Sequence, residues 1–173
     1  FTNLNGQARS YLGRLNTNGT LDTNFSASPN AWVGCVAVQP DGKILVGGAF
    51  TNLNGQPRNY LGRLLSDGSL DSTFSSTEGG GALALAPDAK ILLGEFSPIR
   101  LHPDGSGDNS FDATGRGYVG DIVSIAVQPD GKVLLAGGDT TPLARLHQKN
   151  FTETTFEFYP ASVFEAEEQI TIF

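Results

Sequence analysis

The sequence predicts an all-β protein made of β-propeller blades. Two blocks of residues recur in order along the chain, and each block alternates apolar and polar residues in short runs separated by tight-turn residues. The repeated part carries no apolar stripe of helical period with helix caps. Propeller blades are four-stranded units of about 40–50 residues. We therefore expect four-stranded antiparallel blades, with the propeller incomplete in this chain.

The first block appears at residues 1–25, FTNLNGQARSYLGRLNTNGTLDTNF, and at residues 50–74, FTNLNGQPRNYLGRLLSDGSLDSTF, an offset of 49 (50 − 1). The second block is VAVQPDGK at 36–43, with copies LALAPDAK at 83–90 and IAVQPDGK at 125–132. These copies begin 47 (83 − 36) and 42 (125 − 83) residues apart. Pro and Asp-Gly inside this block are typical of a tight hairpin turn between two strands.

These spacings divide the chain into repeats and a tail. We expect a half unit at 1–25, followed by a first, second and third unit at about 31–74, 80–111 and 121–149. Five of the seven glutamates follow residue 150, and residues 150–173 contain no glycine, lysine or arginine. This change in composition predicts a boundary near residue 150 and a separate acidic β segment after it.

The pattern VAVQPDGKILVGGAF followed by LGRLxxDGSLDxxF resembles the delta-60 repeat, a β-propeller repeat of bacterial secreted and surface proteins. The resemblance covers residues 1 to about 149, and it implies an extracellular or cell-surface location and no catalytic residues. The segment FEFYPASVFEAEEQITIF resembles the opening of a Calx-β domain, an immunoglobulin-like sandwich in which acidic residues near the domain ends bind calcium. Glu165 would correspond to such a residue, and an acidic strand pair or linker is the alternative.

Composition excludes several classes of protein. The chain has 18 Asp and Glu against 11 Lys and Arg, so we expect no nucleic-acid partner. No apolar run approaches the roughly 20 residues of a membrane helix, so we expect no membrane insertion. The single cysteine, Cys35, excludes a disulfide framework and is expected to be a small buried residue. The chain begins without Met, inside a repeat, which predicts that it is part of a longer protein.

The second hairpin of the units carries a recurrent turn with alternating oxygen side chains. Calcium loops place oxygen ligands at such alternate positions, whereas a plain Asp-Gly hairpin turn needs the same residues for its backbone geometry. Both readings stay open, and calcium is the only metal or cofactor that the sequence suggests. The candidate ligands are Asp67, Ser69 and Asp71, and Asp104, Ser106 and Asp108, with Asp112 as a further carboxylate near the second set.

An Arg-Leu pair occupies the same position in every unit, and a phenylalanine ends three of them. A feature present in all copies is more typical of architecture than of a ligand site. We predict that each arginine pairs with the recurrent aspartate of its own or a neighbouring unit, and that the aromatic residues form the core between blades. The arginines are Arg14, Arg63, Arg100 and Arg145, the aspartates Asp22, Asp71 and Asp108, and the aromatic residues Phe25, Phe74, Phe111, Tyr11 and Tyr60.

Other residues break the repeat symmetry. Trp32 has no counterpart in the other units, and it either belongs to a binding surface or is incidental. Glu95 interrupts a repeated Gly-Gly and is the one carboxylate that suggests a catalytic site. The polar loop Asn52–Gln56 either binds carbohydrate hydroxyls or simply forms a turn. His102 and His147 follow the Arg-Leu pairs, where they are expected to face solvent without a role.

The sequence thus favours a non-catalytic interaction or structural module, serving adhesion, matrix or scaffold, with a protein or carbohydrate partner. Self-assembly is one alternative, because open blade edges can pair with other chains. A propeller hydrolase that uses Glu95, or a carbohydrate-binding module, is another alternative.

Overall fold

The computed structural model describes residues 1–111, 121–137, 143–149 and 153–158, and its regular structure is entirely β. Within these ranges, no helix has the length and apolar character needed to cross a bilayer. The strands, in chain order, are β1 (Asn3–Leu4), β2 (Gln7–Ala8), β3 (Val33–Val38), β4 (Ile44–Gly48), β5 (Asn52–Leu53), β6 (Gln56–Pro57), β7 (Leu61–Leu64), β8 (Ala82–Leu85), β9 (Ile91–Gly94), β10 (Pro98–Leu101), β11 (Ile122–Val127), β12 (Val133–Gly137), β13 (Leu143–Lys149) and β14 (Glu153–Phe158).

Each predicted unit folds as one antiparallel sheet. The first sheet has the order β3-β4-β7, the second β8-β9-β10 and the third β11-β12-β13-β14. Sequential strands are therefore neighbours in space, which is the meander expected of a propeller blade. The two short pairs β1-β2 and β5-β6 come from the NLNGQ segments and form separate two-residue hairpins.

The turn of the second repeated block closes the first hairpin of each sheet. Gln39 and Lys43 pair through the 2.8 Å hydrogen bond from the Gln39 N–H to the Lys43 carbonyl oxygen, with Gly42 at φ +82° between them. Asp41 Oδ1 accepts a 3.1 Å hydrogen bond from the Lys43 N–H, which fixes the turn. In the second unit Ala89 takes the place of this glycine, at φ +64°.

The fourth strand expected in each unit is reduced to a single bridge in the first two sheets. Leu64 bridges Leu70 in the first unit, and the pairing stops there. The reason is local: Asp71 Oδ1 accepts hydrogen bonds from the Thr73 N–H (3.0 Å) and hydroxyl (2.6 Å), so the chain turns instead of continuing as a strand. In the second unit Leu101 bridges Gly107 in the same way.

The third sheet has a full fourth strand, supplied by the acidic segment. β14 pairs with β13 from Ala144 opposite Phe158 to Lys149 opposite Glu153. The domain boundary near residue 150 stays a prediction. Glu165 lies outside the described residues, and so does Asp112.

Successive sheets pack face to face. In the first sheet Val36, Val38, Ile44 and Val46 share one side, here called the aliphatic face, and Cys35, Ala37 and Leu45 share the other, here called the small-residue face. The small-residue face of each sheet packs on the aliphatic face of the next. One core joins Leu45, Leu61 and Phe74 to Leu83, Leu85, Ile91, Leu93, Ile99 and Leu101, and another joins Ala82, Ala84, Leu92 and Phe111 to Ile122, Ile125, Val127, Val133 and Leu135.

The half unit adds a third core on the outer part of the first sheet. Phe25 is buried against Val46, Phe50 and Leu64. Phe74 is fully buried and Phe111 packs against the last core, so the predicted core role of these phenylalanines is confirmed. The same prediction for the tyrosines is wrong, because Tyr11 is 36% exposed and Tyr60 is 49% exposed.

The tyrosines leave the core because of their backbone. Tyr60 has φ +66°, and the Leu61 N–H donates a 2.8 Å hydrogen bond to the Asn59 carbonyl oxygen across it, which makes a tight three-residue turn. This turn places Leu61, the next residue, in the core at full burial. Tyr11 repeats the geometry at φ +67°.

Candidate binding cavity

The recurrent arginine and aspartate form a buried ion pair, as predicted. Arg63 Nε lies 2.8 Å from Asp71 Oδ2, and both side chains are almost fully buried. The guanidinium carbon lies 4.8 Å from the centroid of the Phe74 ring, within the range of a cation–π interaction. The three recurrent positions of one repeat, occupied here by Arg63, Asp71 and Phe74, therefore form a single cluster.

Lysine from the first hairpin completes this cluster. Lys43 Nζ lies 3.4 Å from Asp71 Oδ2, so the two hairpins of the unit are joined through one carboxylate. Burial by itself would raise the pKa of Asp71, but the hydrogen bonds from Thr73 and the Arg63 guanidinium outweigh it and hold the pKa well below its ordinary value. Asp71 is thus ionised and fully engaged.

The cluster also connects neighbouring units. Arg63 Nη1 donates a 2.6 Å hydrogen bond to the carbonyl oxygen of Pro103 in the next unit. Beside it, the Ser75 N–H donates to the Asp104 carbonyl oxygen at 3.2 Å. A Cβ atom on Gly105 would lie 2.5 Å from the Ser75 carbonyl oxygen, so only glycine fits at this contact.

The other copies repeat this arrangement. Arg100 pairs with Asp108 at 2.8 Å, Lys90 reaches Asp108 at 2.7 Å, and Arg100 lies over the ring of Phe111. In the half unit, Arg14 pairs with Asp22, lies over the ring of Phe25 and donates to the Ser66 carbonyl oxygen of the first unit. The side chain of Arg145 lies outside the described residues.

The predicted calcium ligands are engaged in the turns themselves. Asp67 Oδ1 accepts hydrogen bonds from the Ser69 N–H at 2.9 Å and the Ser69 hydroxyl at 2.6 Å. Asp71 instead accepts a hydrogen bond from Arg63. Asp104 accepts hydrogen bonds from Ser106 in the same way, and Asp108 forms ion pairs with Arg100 and Lys90. Within the described ranges, no three acidic, histidine or cysteine side chains are grouped as metal ligands, so calcium binding stays a prediction.

The remaining residues singled out by sequence have ordinary surroundings. His102 is about half exposed, with Nε2 4.0 Å from Asp108 Oδ1, and the side chain of His147 lies outside the described residues. Cys35 is partly buried, and burial raises the pKa of its thiol. In the Asn52–Gln56 loop, Asn54 accepts the Ser28 N–H at 2.7 Å and donates to the Gly68 carbonyl oxygen at 2.8 Å, so its amide holds the fold together.

A different group of residues lines an open cavity of about 560 Å³, a volume ordinary for ligand sites. It lies where the first strands of the three units begin, and all three units contribute to it. The lining consists of Trp32, Gly48, Ala49, Tyr60, Thr77, Glu78, Gly79, Gly80, Gly81, Gly94, Glu95, Phe96, Asp121 and Ile122. Trp32 and Glu95, which sequence reasoning considered separately, thus share one site.

The cavity exists because the second unit departs from the repeat. A Cβ atom at Gly48 or Gly137 would lie 2.2 Å from the carbonyl oxygen of Trp32 or Asp121, the residue just before the bulged first strand. Both β3 and β11 contain such a bulge, whereas β8 pairs with β9 in unbroken register. Glu95 occupies the equivalent position in the second unit, where the missing bulge leaves room for a side chain.

Three aromatic side chains stand at this cavity. Trp32 is 58% exposed, Phe96 69% and Tyr60 49%, although large aromatic residues bury much of their surface in most folds. The six-membered ring of Trp32 lies against Gly34, because a Cβ atom there would be 2.5 Å from Cη2. Gly79 likewise packs on Tyr60, where a Cβ atom would lie 2.2 Å from the Tyr60 Cβ. Small residues therefore support the rings from behind.

Sequence reasoning missed Tyr60, Phe96, Glu78 and Asp121 as members of this site. The recurrence of tyrosine at positions 11 and 60 predicts a core residue, and the positive φ that turns Tyr60 out of the core is not visible in the sequence. The usable signal was asymmetry: Phe96 follows Glu95 directly, and the Gly79–Gly81 run occurs in the second unit only.

The sheets, their order and the three inter-unit cores define a β-propeller-type repeat protein. The chain is similar to a family described as "Domain of unknown function (DUF5122) beta-propeller", which matches residues 1–25 and 39–74. It is also similar to a solved structure, described as a protein of unknown function from Bacteroides caccae, with a TM-score of 0.59 and 16% identity. That similarity covers 89% of this chain and 55% of the other chain, so this chain spans just over half its length. No curated protein matches the sequence.

These similarities confirm the prediction of an all-β propeller fold and support membership of a β-propeller-type family. The delta-60 and Calx-β resemblances stay predictions.

Proposed function

We propose that this chain is a non-catalytic interaction or scaffold module of a larger bacterial protein, placed outside the cell or at its surface. One observation carries the proposal. The recurrent charged residues form ion pairs and hydrogen bonds within and between units. The cavity lined by Trp32, Tyr60 and Phe96, here called the aromatic cavity, instead arises from departures from the repeat and is open to solvent. Function resides in particular sites rather than in the fold that carries them, so we expect a binding site where the chain departs from its repeat. The location rests on the delta-60 resemblance.

Binding without turnover tests this proposal. The 173-residue chain is immobilised and exposed to arrays of glycans and of proteins, and the same preparation is assayed with ester and glycoside substrates. We expect saturable binding to at least one array member and no hydrolysis. Hydrolysis that Glu95→Gln abolishes and Asp41→Asn leaves intact would contradict the proposal and favour the hydrolase alternative.

An exposed sheet face favours a second function, head-to-tail self-association. Val36 and Val38 on the aliphatic face of the first sheet are 53% and 66% exposed. Their repeat equivalents in the second sheet, Leu83 and Leu85, pack against Leu45 of the sheet before. The half unit packs on part of this face, where Phe25 joins Val46 and Leu64 in one core.

The opposite end of the described sheets offers a matching surface. Ser124 and Ala126 on the small-residue face of β11 are exposed, and they correspond to Cys35 and Ala37 of the first unit. Ala82 and Ala84, the corresponding small residues of the second sheet, meet larger side chains of the third unit in this way. A second copy of this chain can therefore cover Val36 and Val38 with its third sheet, and such heterologous contacts close into rings or extend into fibres.

Light scattering decides this second candidate. We expect a mass above that of the monomer, reduced to 18.2 kDa when Val36 and Val38 are both changed to lysine. Leu65→Lys is the matched control, because Leu65 is 37% exposed and follows β7, outside both proposed surfaces, so this variant should keep the wild-type mass. A wild-type chain that is monomeric at all accessible concentrations would contradict self-association.

A further inference from the structure

We propose that the aromatic cavity binds a cationic side chain, lysine or arginine, presented by a basic segment of a partner polypeptide. This inference rests on the proposed function and gives its partner a chemistry. It is carried by the presence of three aromatic residues, Trp32, Tyr60 and Phe96, and three acidic residues, Glu78, Glu95 and Asp121, in the lining of one cavity.

Aromatic faces attract cations through the negative potential above the ring, and tryptophan is the strongest of the three aromatic residues. The protein already uses this interaction internally, since Arg14, Arg63 and Arg100 each lie over a phenylalanine ring at 4.6–4.8 Å. The cavity also contains aromatic rings, but none of these three arginines lines it. A cation from outside the chain would complete it.

The carboxylates of the cavity strengthen the preference for a cation. No lysine, arginine or histidine occurs among the described residues that line it. Asp71 and Asp108 each have cationic partners, whereas no ion pair within the described ranges reaches Glu78, Glu95 or Asp121. A net charge of −7 for the whole chain adds a long-range attraction for basic partners.

A neutral sugar could also stack on these rings, but the polar lining fits it less well. A sugar hydroxyl both donates and accepts, whereas ionised carboxylates only accept. A sugar hydroxyl can donate to a carboxylate but carries no charge, whereas ammonium and guanidinium groups combine donors with the positive charge that the acidic residues of the lining attract. The size of the cavity is sufficient for one or two extended basic side chains and too small for a folded domain.

The single tryptophan of the chain is itself the probe. Because Trp32 is the only tryptophan, intrinsic tryptophan fluorescence reports on this cavity. The chain is titrated with the peptide acetyl-Gly-Lys-Lys-Lys-Gly-amide, with its glutamate analogue and with maltotriose. We expect a saturable change with the lysine peptide only, weakened several-fold between low and high salt because part of the attraction is screened.

Variants assign the binding to named side chains. Glu95→Gln and Phe96→Ala are each expected to weaken lysine-peptide binding about fivefold, and Glu95→Gln combined with Asp121→Asn about tenfold or more. Both Glu95 and Phe96 are exposed, so the variants should keep the melting temperature of the wild type. The matched controls are Asp41→Asn, an exposed carboxylate remote from the cavity lining, and Tyr11→Ala, the repeat equivalent of Tyr60; both should bind normally.

Three results would overturn the inference. They are the absence of a saturable signal with the lysine peptide, binding that Glu95→Gln and Phe96→Ala leave unchanged, and equal weakening by Asp41→Asn. Saturation by maltotriose in place of the lysine peptide would overturn the cation preference and leave the interaction module standing. Hydrolysis of an ester or glycoside would instead overturn the proposed function, so the two failures are distinguishable.

Discussion

Arg63 donates a 2.6 Å hydrogen bond through Nη1 to the carbonyl oxygen of Pro103, which lies 40 positions later in the next unit. The same guanidinium neutralises Asp71 within its own unit at 2.8 Å. One side chain therefore links the interior of a repeat to its neighbour, and the Arg14 contact to Ser66 repeats the link one unit earlier. Repeat proteins gain their stability from such nearest-neighbour contacts.

Removal of Arg63 should be costly. Arg63→Ala leaves Asp71 buried with Lys43 as its remaining cationic partner, and breaking a buried pair costs about 3–5 kcal/mol. Arg14→Ala is the matched control, because the Arg14 side chain is 38% exposed and exposed ion pairs contribute little to stability. Urea unfolding should show a clearly larger loss for Arg63→Ala, and equal losses would refute this role of burial.

The turn glycines provide a test of packing between units. Gly68 and Gly19 have similar backbones, at φ +89° and +82°, so alanine is strained by about 1–2 kcal/mol at both. A Cβ atom on Gly68 would also lie 2.6 Å from the Ser26 carbonyl oxygen, whereas the space around Gly19 is open. Gly68→Ala should therefore lower the thermal midpoint more than Gly19→Ala. If the two midpoints fall equally, the close approach between units carries no stability.

Ala89 offers a stabilising change. It stands at φ +64° where the equivalent turns have Gly42 and Gly131, and its side chain is exposed. Ala89→Gly relieves the left-handed strain but gives the unfolded chain more freedom, so a net gain of about 0.5–1 kcal/mol is expected. The reciprocal variant, Gly131→Ala, should lose stability because Gly131 has φ +83°. The space around Gly131 is open, so the loss should come from backbone strain alone. Denaturant midpoints measure both, and a loss with Ala89→Gly would contradict the strain argument.

Acid should destabilise the protein through Asp71 and Asp108. Their pKa values in the folded state lie below the ordinary value of 3.8, so below about pH 4 the unfolded chain binds more protons than the folded chain. Their contribution to stability is therefore complete above this pH and is lost progressively as the pH falls below it. Unfolding midpoints measured from pH 7 down to pH 2.5 should show this fall.

Asparagine variants assign the acid dependence. Asp71→Asn should be less stable at pH 7 and should show a shallower fall in acid, because the titrating group is gone. Asp41→Asn is the control, since Asp41 is exposed, and it should retain the wild-type slope. A wild-type slope in Asp71→Asn would remove the buried pair as the cause.

The sequence alone determined the architecture of the repeat. The block spacings and the period-2 alternation placed the sheets, and the recurrence of arginine, aspartate and phenylalanine predicted the cluster around Asp71. These features are local or repeat in every copy, so the same physical constraint acts several times and leaves a readable pattern. The reduction of the fourth strand to a bridge was not readable, because it depends on the side-chain hydrogen bonds of Asp71 to Thr73.

Only the tertiary structure decided where the candidate site lies. Trp32, Tyr60, Glu95 and Asp121 are far apart in sequence, and they meet because β3, β8 and β11, the first strands of the three units, begin close together. Only glycine fits at positions 48 and 137, because the neighbouring strand is bulged and its chain approaches closely. The strand beside Glu95 has no bulge, so a side chain fits there, and this difference is a property of packing. Sequence showed that Glu95 breaks the repeat, and three-dimensional packing showed that this break opens a cavity lined by aromatic rings and carboxylates.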